Sequence, residues 1–317
     1  MIKMDIGLIV CSFLVIAVMR VAQKVCDKQV SNQVKGKTFF HYGGYYNLWS
    51  ALFSLAFLLI SGVDGLDFPT LLCALVTAFF LTLELFAVIE SLKGTTLLVG
   101  QIFSVGGLSI PCIVGIFLFG EPMSVWQWCG LALFGCSMYF MLSSTETKRS
   151  NEPGKSSKIS FKTMVMLFLT LISGGGIMTA QKAFGKLVPD GNVAAYSLWT
   201  FALNACVLYI CYFASLITGK KKKTNGSEET VLKEKKSLSK VLAVCGVIVA
   251  FAIFMMNTLI TELGRNVDSA ILFSVSYAIS IVITILVGAV CYKEKITWKH
   301  CVGLVLCVCS LAIINFL

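Results

Sequence analysis

The hydrophobic and polar positions of the chain form long apolar runs separated by short polar breaks. Ten runs stand out, at residues 6–25, 42–60, 70–89, 95–119, 125–143, 161–183, 193–218, 238–263, 269–291 and 298–316. Each is close to the ~20 residues that a helix needs to cross a bilayer core. Because that core offers the backbone no water, each run is predicted to be a helix that closes its own hydrogen bonds. The pattern predicts an all-α integral membrane protein with ten transmembrane helices.

Composition supports this prediction and excludes a soluble globule. Hydrophobic residues make up 57% of the chain and charged residues only 13%, and the mean hydropathy is +0.86. The first run has no small-x-small cleavage site and leads directly into Arg20, so we expect it to remain as a helix rather than to be removed as a signal peptide. The 13 cysteines lie mostly inside apolar runs without a Cys-x-x-Cys pair. We therefore expect packing cysteines, no metal and no cofactor.

Basic residues are distributed unequally between the two sides of the predicted membrane. If successive breaks alternate sides, 22 of the 26 basic residues lie on one side, and only Lys3, Lys182, Lys186 and Arg265 lie on the other. Basic residues stay cytoplasmic in membrane proteins. The pattern predicts a multi-pass protein of the plasma membrane with cytoplasmic basic loops and both termini extracytoplasmic. It also accounts for the net charge of +10 without a nucleic-acid partner.

The chain contains an internal repeat. The pattern Glu-x-x-Ser/Thr-x-x-Gln/His-x-x-Gly occurs at residues 121–130 and 294–303, where it opens the fifth and the tenth run. Ala-Gln-Lys at 22–24 and 180–182, and Leu-Trp at 48–49 and 198–199, recur in the same way. Five runs per half is an odd number, so the second half must enter the membrane in the opposite direction. This predicts a five-plus-five inverted repeat: a first repeat at 1–143, a cytoplasmic linker at 144–160 and a second repeat at 161–317.

The repeated motif itself is interpreted as structural. Ser124 and Thr297 stand where a helix N-cap is expected, and an acidic residue beside a helix start, here Glu121 or Glu294, interacts favourably with the helix dipole. A role as a gate is the alternative.

Ten helices in two halves of five, with this motif opening the fifth and tenth, resemble the drug/metabolite transporter superfamily and its EamA-like branch. The resemblance covers essentially the whole chain. It implies a secondary transporter in which helices 1 to 4 and 6 to 9 enclose a central cavity, while helices 5 and 10 brace it from outside. Ten-helix relatives are thought to keep both termini in the cytoplasm, whereas the basic loops here predict the reverse.

Among the charged side chains of the predicted helices, two are candidates for a site within the membrane, Arg20 and Glu84. A charge at mid-bilayer costs ~2.5–3.5 kcal/mol on insertion scales, so such residues are retained for function. The two lie at similar depths, and we expect either an ion pair or joint lining of a polar cavity. The alternative is that Arg20 extends to the headgroups and that Glu84 is a structural partner. If Glu84 titrates, it is the candidate for proton coupling.

Further candidates are polar and aromatic side chains in the other runs. Gln101 precedes the Gly-Gly pair at 106–107 and Pro111, which are predicted to bend the fourth helix. The Ser-Gly-Gly-Gly sequence at 173–176 predicts a close helix contact. The remaining candidates for substrate binding are Trp49, Trp199, Asn204, Asn257, Ser276, Tyr277 and Ser280. Serines also pack helices without a ligand, and aromatic residues also mark the membrane interface.

The function predicted from these features is secondary active transport of a small metabolite, amino-acid-like, zwitterionic or amphipathic, by alternating access. A lipid-linked substrate flippase or a non-transporting membrane scaffold is the alternative. An enzyme is not expected, because the only histidines, His41 and His300, lie at membrane edges and no aspartate lies in the middle of a helix. The expected partners are a small-molecule substrate and membrane lipid; the oligomeric state stays open.

Overall fold

A computed structural model of the chain describes residues 6–31, 33–34, 37–107, 109–119, 124–143, 160–221, 240–266, 269–292 and 298–316. These residues form eleven helices and no strand. The helices are α1 (Ile6–Ser31), α2 (Lys37–Ser61), α3 (Phe68–Leu92), α4 (Leu97–Gly106), α5 (Ser109–Phe119), α6 (Val125–Ser143), α7 (Phe161–Leu187), α8 (Val193–Lys221), α9 (Lys240–Asn266), α10 (Ser269–Cys291) and α11 (Trp298–Phe316).

Seven segments are long and apolar enough to cross a bilayer, judged by length and composition alone. They correspond to the first four and the sixth to eighth predicted runs, and one of them, Val99–Phe117, combines α4 and α5. Apolar stretches of the ninth and tenth runs are shorter in the described part of the chain, at Val275–Cys291 and Cys301–Ser310. The chain is therefore a multi-pass membrane protein, while the count of ten spans stays a prediction.

The first predicted loop is shorter than expected, because α1 continues to Ser31 and α2 begins at Lys37. The polar end of α1 is held inside the bundle instead of forming a loop. The Lys28 ammonium donates to the carbonyl oxygens of Leu92, at 2.7 Å, and Thr95, at 2.5 Å. These contacts fasten the end of α1 to the connection between α3 and α4.

The fourth predicted helix is interrupted, as its glycine pair indicates. α4 ends at Gly106 and α5 begins at Ser109. The interruption lies against the backbone of α7: a Cβ atom on Gly107 would come within 2.6 Å of the Gly175 nitrogen, and one on Gly175 within 2.5 Å of the Gly107 oxygen. Only glycine permits this approach, so the predicted close contact of α7 is confirmed.

The most extensive helix pairings join α2 to α8, α3 to α7, α1 to α9 and α6 to α11. In the α6–α11 pair, the Ser137 hydroxyl donates to the Gly303 carbonyl, 2.8 Å, and the Ser310 hydroxyl donates to the Gly130 carbonyl, 2.6 Å. The late part of each helix thus meets the early part of the other, so the two helices are antiparallel. The two bonds join equivalent positions of the repeated segments in reciprocal fashion.

The first copy of the motif starts α6 through a capping box. The Gln127 amide nitrogen donates to the Ser124 hydroxyl, 3.2 Å, and the Ser124 nitrogen donates to the Gln127 side-chain oxygen, 3.0 Å. Reciprocal bonds of this kind satisfy two otherwise unpaired donors at a helix start. The N-cap prediction for Ser124 is confirmed, whereas Glu121, Glu294 and Thr297 lie outside the described residues.

Aromatic and polar contacts hold α3, α7 and α8 together at one end of the bundle. The rings of Phe184 and Tyr196 stack with centroids 4.3 Å apart, and the hydroxyls of Tyr196 and Thr77 lie 2.6 Å apart in a hydrogen bond. Beside them, the Asn192 side chain donates to the Gly62 carbonyl, 3.1 Å. At this end the loop before α8 thus joins the turn between α2 and α3.

Candidate functional site

A small cavity lies among α1, α3, α7, α9 and α10. Its volume is about 60 Å³, room for a few water molecules when each needs ~10–15 Å³. Most of its wall on α7 and α9 consists of isoleucine and methionine side chains. The polar and charged residues that line it are Arg20, Gln23, Glu84, Gln181, Asn257 and Tyr277. The cavity is therefore a polar site within an apolar bundle, with walls from both halves of the chain.

Arg20 is held at this cavity by an aromatic ring. Its guanidinium carbon lies 4.0 Å from the centroid of the Tyr277 ring, the arrangement of a cation–π contact. Tyr277 is fully buried and donates its hydroxyl to the Met178 sulfur at 3.6 Å. Within the described chain, the Arg20 Nε atom is buried without a hydrogen-bond partner.

Glu84 forms its ion pair with a residue that the sequence did not single out. Its Oε1 atom lies 3.9 Å from the Lys24 Nζ atom, and among the described residues no ion pair joins it to Arg20. The ion pair expected between Arg20 and Glu84 is therefore wrong, because Arg20 lies on the Tyr277 ring and Lys24 lies one helical turn further along α1. The other expectation agrees with the structure, since both residues line the same cavity.

The polar end of α1 is buried to an extent that hydropathy did not indicate. Lys24 is 2% exposed and Asp27 is also buried, and Lys24 Nζ has no hydrogen-bond partner within the described chain. The signal was present in the spacing, because Arg20, Gln23, Lys24 and Asp27 share one face of a helix. The apolar run ends near Val25, so hydropathy alone counts Lys24 among the basic residues of the first loop.

Asn257 lies where the cavity meets a hydrogen-bonded network of the second half. Its side-chain oxygen accepts from Gln181 Nε2 at 2.7 Å, and its Nδ2 atom donates to the Ser197 hydroxyl at 2.7 Å. This network joins α7, α8 and α9. Gln181 was missed as a site residue, although the repeated Ala-Gln-Lys sequence pairs it with Gln23, which also lines the cavity.

Asn204 belongs to a separate network away from the cavity. Its Nδ2 atom donates to Asn47 Oδ1 at 3.1 Å, and its Oδ1 atom accepts from the Thr82 hydroxyl at 2.7 Å. It is fully buried and is not among the described residues that line the cavity. A polar side chain in an apolar helix indicates a polar neighbour, and here the neighbours are α2 and α3 rather than a ligand. Its expected role at this site is not supported.

Gln101 and Ser280 also bond to each other instead of lining the cavity. Gln101 Nε2 donates to the Ser280 hydroxyl at 3.0 Å, and that hydroxyl lies 2.9 Å from the Tyr277 carbonyl. Ser276, next to Tyr277, is buried as well. These contacts join α4 to α10 and hold the part of α10 that carries Tyr277 beside the cavity.

The two tryptophans are not among the described residues that line this cavity. Trp49 is 36% exposed, and its ring contacts those of Tyr45 and Phe53. Trp199 packs against the cluster that contains Phe184. The expectation that both form cavity walls is wrong for this cavity. The position of a residue along a helix predicts its depth in the membrane. The direction of its side chain around the helix axis determines whether it faces the cavity, another helix or lipid.

The geometry supports binding of a small molecule that carries charge. Arg20 offers a guanidinium group, Glu84 offers carboxylate oxygens, and Gln181 and Asn257 add amide groups. The apolar side chains of α7 and α9 form the rest of the wall. A solute with one anionic, one cationic and one apolar part matches this set of groups.

Comparison with known proteins identifies the second half of the chain as similar to a family of transporters. Residues 160–316 match the model of the EamA-like transporter family, which belongs to the drug/metabolite transporter superfamily. No curated protein matches the sequence. A solved crystal structure superposes with a TM-score of 0.60 over 96% of both chains at 12% identity; at that identity the likeness shows the fold alone.

Proposed function

We propose that this chain, which belongs to the EamA-like transporter family, is a secondary active transporter of a small zwitterionic or amphipathic metabolite, amino-acid-like in its charges, across the plasma membrane. One observation carries the proposal: Arg20 and Glu84, from two membrane-spanning helices, line one cavity together with amides of the other half. Charges inside a membrane are costly and mark substrate or ion pathways.

In the proposed bound state, the anionic group of the substrate accepts from Arg20 and its cationic group lies against Glu84. The amides of Gln181 and Asn257 fix its orientation, and its apolar part faces α7 and α9. A volume of about 60 Å³ is far below the ~300–1,000 Å³ of drug-sized pockets. We therefore propose that the substrate is small and that the cavity widens when the bundle opens to one side.

Transport follows from the proposed five-plus-five inverted repeat. The repeat relates α1 to α7 and α3 to α9, so the contact between α3 and α7 corresponds to the contact between α9 and α1. The reciprocal Ser137–Gly303 and Ser310–Gly130 bonds support this relation, as does a family match that begins at residue 160. Rocking of the halves at 1–143 and 161–317 against each other would expose the cavity to alternate sides.

The proposed orientation has the basic segments 144–160 and 219–236 in the cytoplasm and both termini outside. An epitope added after Leu317 tests it. We expect an antibody to bind this epitope on intact cells; binding only after permeabilisation would reverse the orientation.

The experiment that tests transport is an uptake screen. Purified protein in proteoliposomes is supplied with labelled amino acids and related small metabolites, with Arg20→Ala and Glu84→Gln as site variants. Ser137→Ala serves as the matched control, because Ser137 is not among the described residues that line the cavity. We expect saturable uptake of at least one solute, with a loss of tenfold or more in both site variants and little change in the control. If no solute enters saturably, or if the site variants retain full uptake, the proposal fails.

Proton coupling through Glu84 is a separate part of the proposal. Uptake is measured with and without an imposed pH gradient in the unaltered protein and in Glu84→Gln. We expect the gradient to accelerate uptake only in the unaltered protein, because an amide side chain cannot carry the proton. An unchanged acceleration in Glu84→Gln contradicts this part alone.

A further inference from the structure

Lys24 is a buried lysine that the binding scheme above does not use. It is 2% exposed, and it is not among the described residues that line the cavity. Its Nζ atom lies 3.9 Å from Glu84 Oε1 and has no hydrogen-bond partner within the described chain. Glu84 itself lies at the cavity wall, with 17% of its side chain accessible. Lys24 therefore lies behind the carboxylate that faces the proposed substrate.

The separation of the two charges determines what Lys24 can do for Glu84. A buried charge is costly unless an opposite charge compensates it. Coulomb attraction falls only as the inverse of distance, so most of it survives at 3.9 Å. A hydrogen bond does not survive at that length. Lys24 thus compensates the charge of Glu84 without occupying its oxygen atoms.

The other charged and titratable groups near Glu84 do not supply the same compensation. Those that face it are Arg20, Lys24 and Asp27 on α1, Tyr46 on α2 and Tyr277 on α10. Asp27 is a carboxyl group that supplies no positive charge in either protonation state, and the guanidinium of Arg20 lies over the Tyr277 ring. On α7 the backbone beside Glu84 Oε1 belongs to Gly174, and α9 contributes the neutral Asn257.

We propose that Lys24 is a positioning residue of the transport site, which keeps Glu84 ionised and leaves its oxygen atoms free for the cationic group of a substrate. The inference rests on the proposed function, because it assigns Glu84 to substrate binding. It separates the roles of the two α1 cations. Arg20 contacts the substrate, whereas Lys24 acts through Glu84.

A carbodiimide experiment tests this role without any substrate. Dicyclohexylcarbodiimide is apolar and reacts with protonated carboxyl groups within membranes, while ionised carboxylates are resistant. The full chain in lipid vesicles is treated at pH values from 6 to 9, and modification of Glu84 is quantified by mass spectrometry. We expect little modification at pH 7 in the unaltered protein and at least fivefold more in Lys24→Gln. Lys24→Arg, which keeps the cation, should behave like the unaltered protein, and Glu84→Gln removes the labelled site.

Three results would overturn the proposal. The first is full modification of Glu84 at pH 7 in the unaltered protein, a measurement that does not depend on whether any variant folds. The second is a Lys24→Gln protein that elutes as a folded species and is modified no more than the unaltered protein. The third is a Lys24→Arg protein modified as strongly as Lys24→Gln.

A transport measurement then separates this inference from the function on which it rests. With a solute found in the screen, Lys24→Gln should raise KM at least fivefold and change kcat less. In the Glu84→Gln background the same change should add nothing, because Lys24 acts through Glu84; a further loss there contradicts the inference. If no solute enters the vesicles, the proposed function fails while the carbodiimide result still decides whether Lys24 keeps Glu84 ionised.

Discussion

The internal repeat contributes differently to two regions of the molecule, the contact between α6 and α11 and the cavity between the halves. At the contact, both halves contribute the same groups, a serine hydroxyl and a glycine carbonyl, in reciprocal bonds. At the cavity, the first half contributes the charges of Arg20 and Glu84, and the second contributes amides such as Asn257. The repeat thus supplies identical groups at the contact, whereas at the cavity it repeats the amides of Gln23 and Gln181 but not the charges of Arg20 and Glu84.

The asymmetry of the cavity has a mechanical consequence for the proposed transport cycle. Arg20, Lys24 and Glu84 all belong to the first half, so they would move together when the halves rock. The facing wall on α7 and α9 is neutral or apolar. The inward-open and outward-open states would then share a scaffold but differ in the solvation of these charges.

The largest effect on stability should come from leaving one intramembrane charge without its partner. Lys24→Gln is expected to lower the free energy of unfolding by roughly 3 kcal/mol, the lower end for a broken buried pair, because Glu84 is partly accessible. Lys24→Gln combined with Glu84→Gln should lose less than Lys24→Gln alone. Denaturant titration in detergent measures both. Simple additivity of the two single changes would show that the 3.9 Å pair is not coupled.

The next effect concerns the glycine contact that lies beside the interrupted helix. Gly175→Ala should cost about 1–3 kcal/mol, since its Cβ would meet the Gly107 carbonyl and the side chain of Ile110 and force the helices apart. Gly135→Ala is the matched control, because apart from the nearby backbone of its own helix no atom lies within 4 Å of its added Cβ. Thermal denaturation in detergent should separate the two variants, and equal midpoints would mean that α7 does not need this approach.

The smallest effects test the symmetric contact. Ser137→Ala and Ser310→Ala should each cost about 0.6 kcal/mol, the average for a hydrogen bond between membrane helices. The two costs should be equal and, at separate sites, additive. A loss several times larger in one variant than in the other would break the equivalence of the two halves at α6 and α11.

Much of the scaffold was accessible from the sequence, because it depends on position along the chain. Apolar runs predicted the helices, the glycines at 106–107 predicted the interruption, and Ser124 was predicted as an N-cap. Position along the chain did not predict the burial of Lys24. Polar residues near Lys24 end the apolar run there, but tertiary contacts keep both this part of the helix and the lysine side chain buried.

The contacts of the site were harder to predict from the sequence, because they depend on the direction in which each side chain points around its helix axis. Arg20 and Lys24 share a helix face, so the sequence does not show which of them pairs with Glu84. In the structure, Tyr277 of α10 packs against Arg20, and Lys24 forms the ion pair. Depth alone likewise could not separate Trp49, which is exposed, from a cavity residue. Nor could it distinguish Asn204, which bonds to α2 and α3, from a ligand-binding amide.

We expect transport to depend on the charged cavity and not on the repeated contact between α6 and α11. The most direct measurement compares initial uptake rates of Glu84→Gln and Ser137→Ala with the unaltered protein, in proteoliposomes of equal protein content. We predict a loss of tenfold or more for Glu84→Gln and nearly full uptake for Ser137→Ala. Full uptake by Glu84→Gln, or an equal loss in both variants, would contradict the claim.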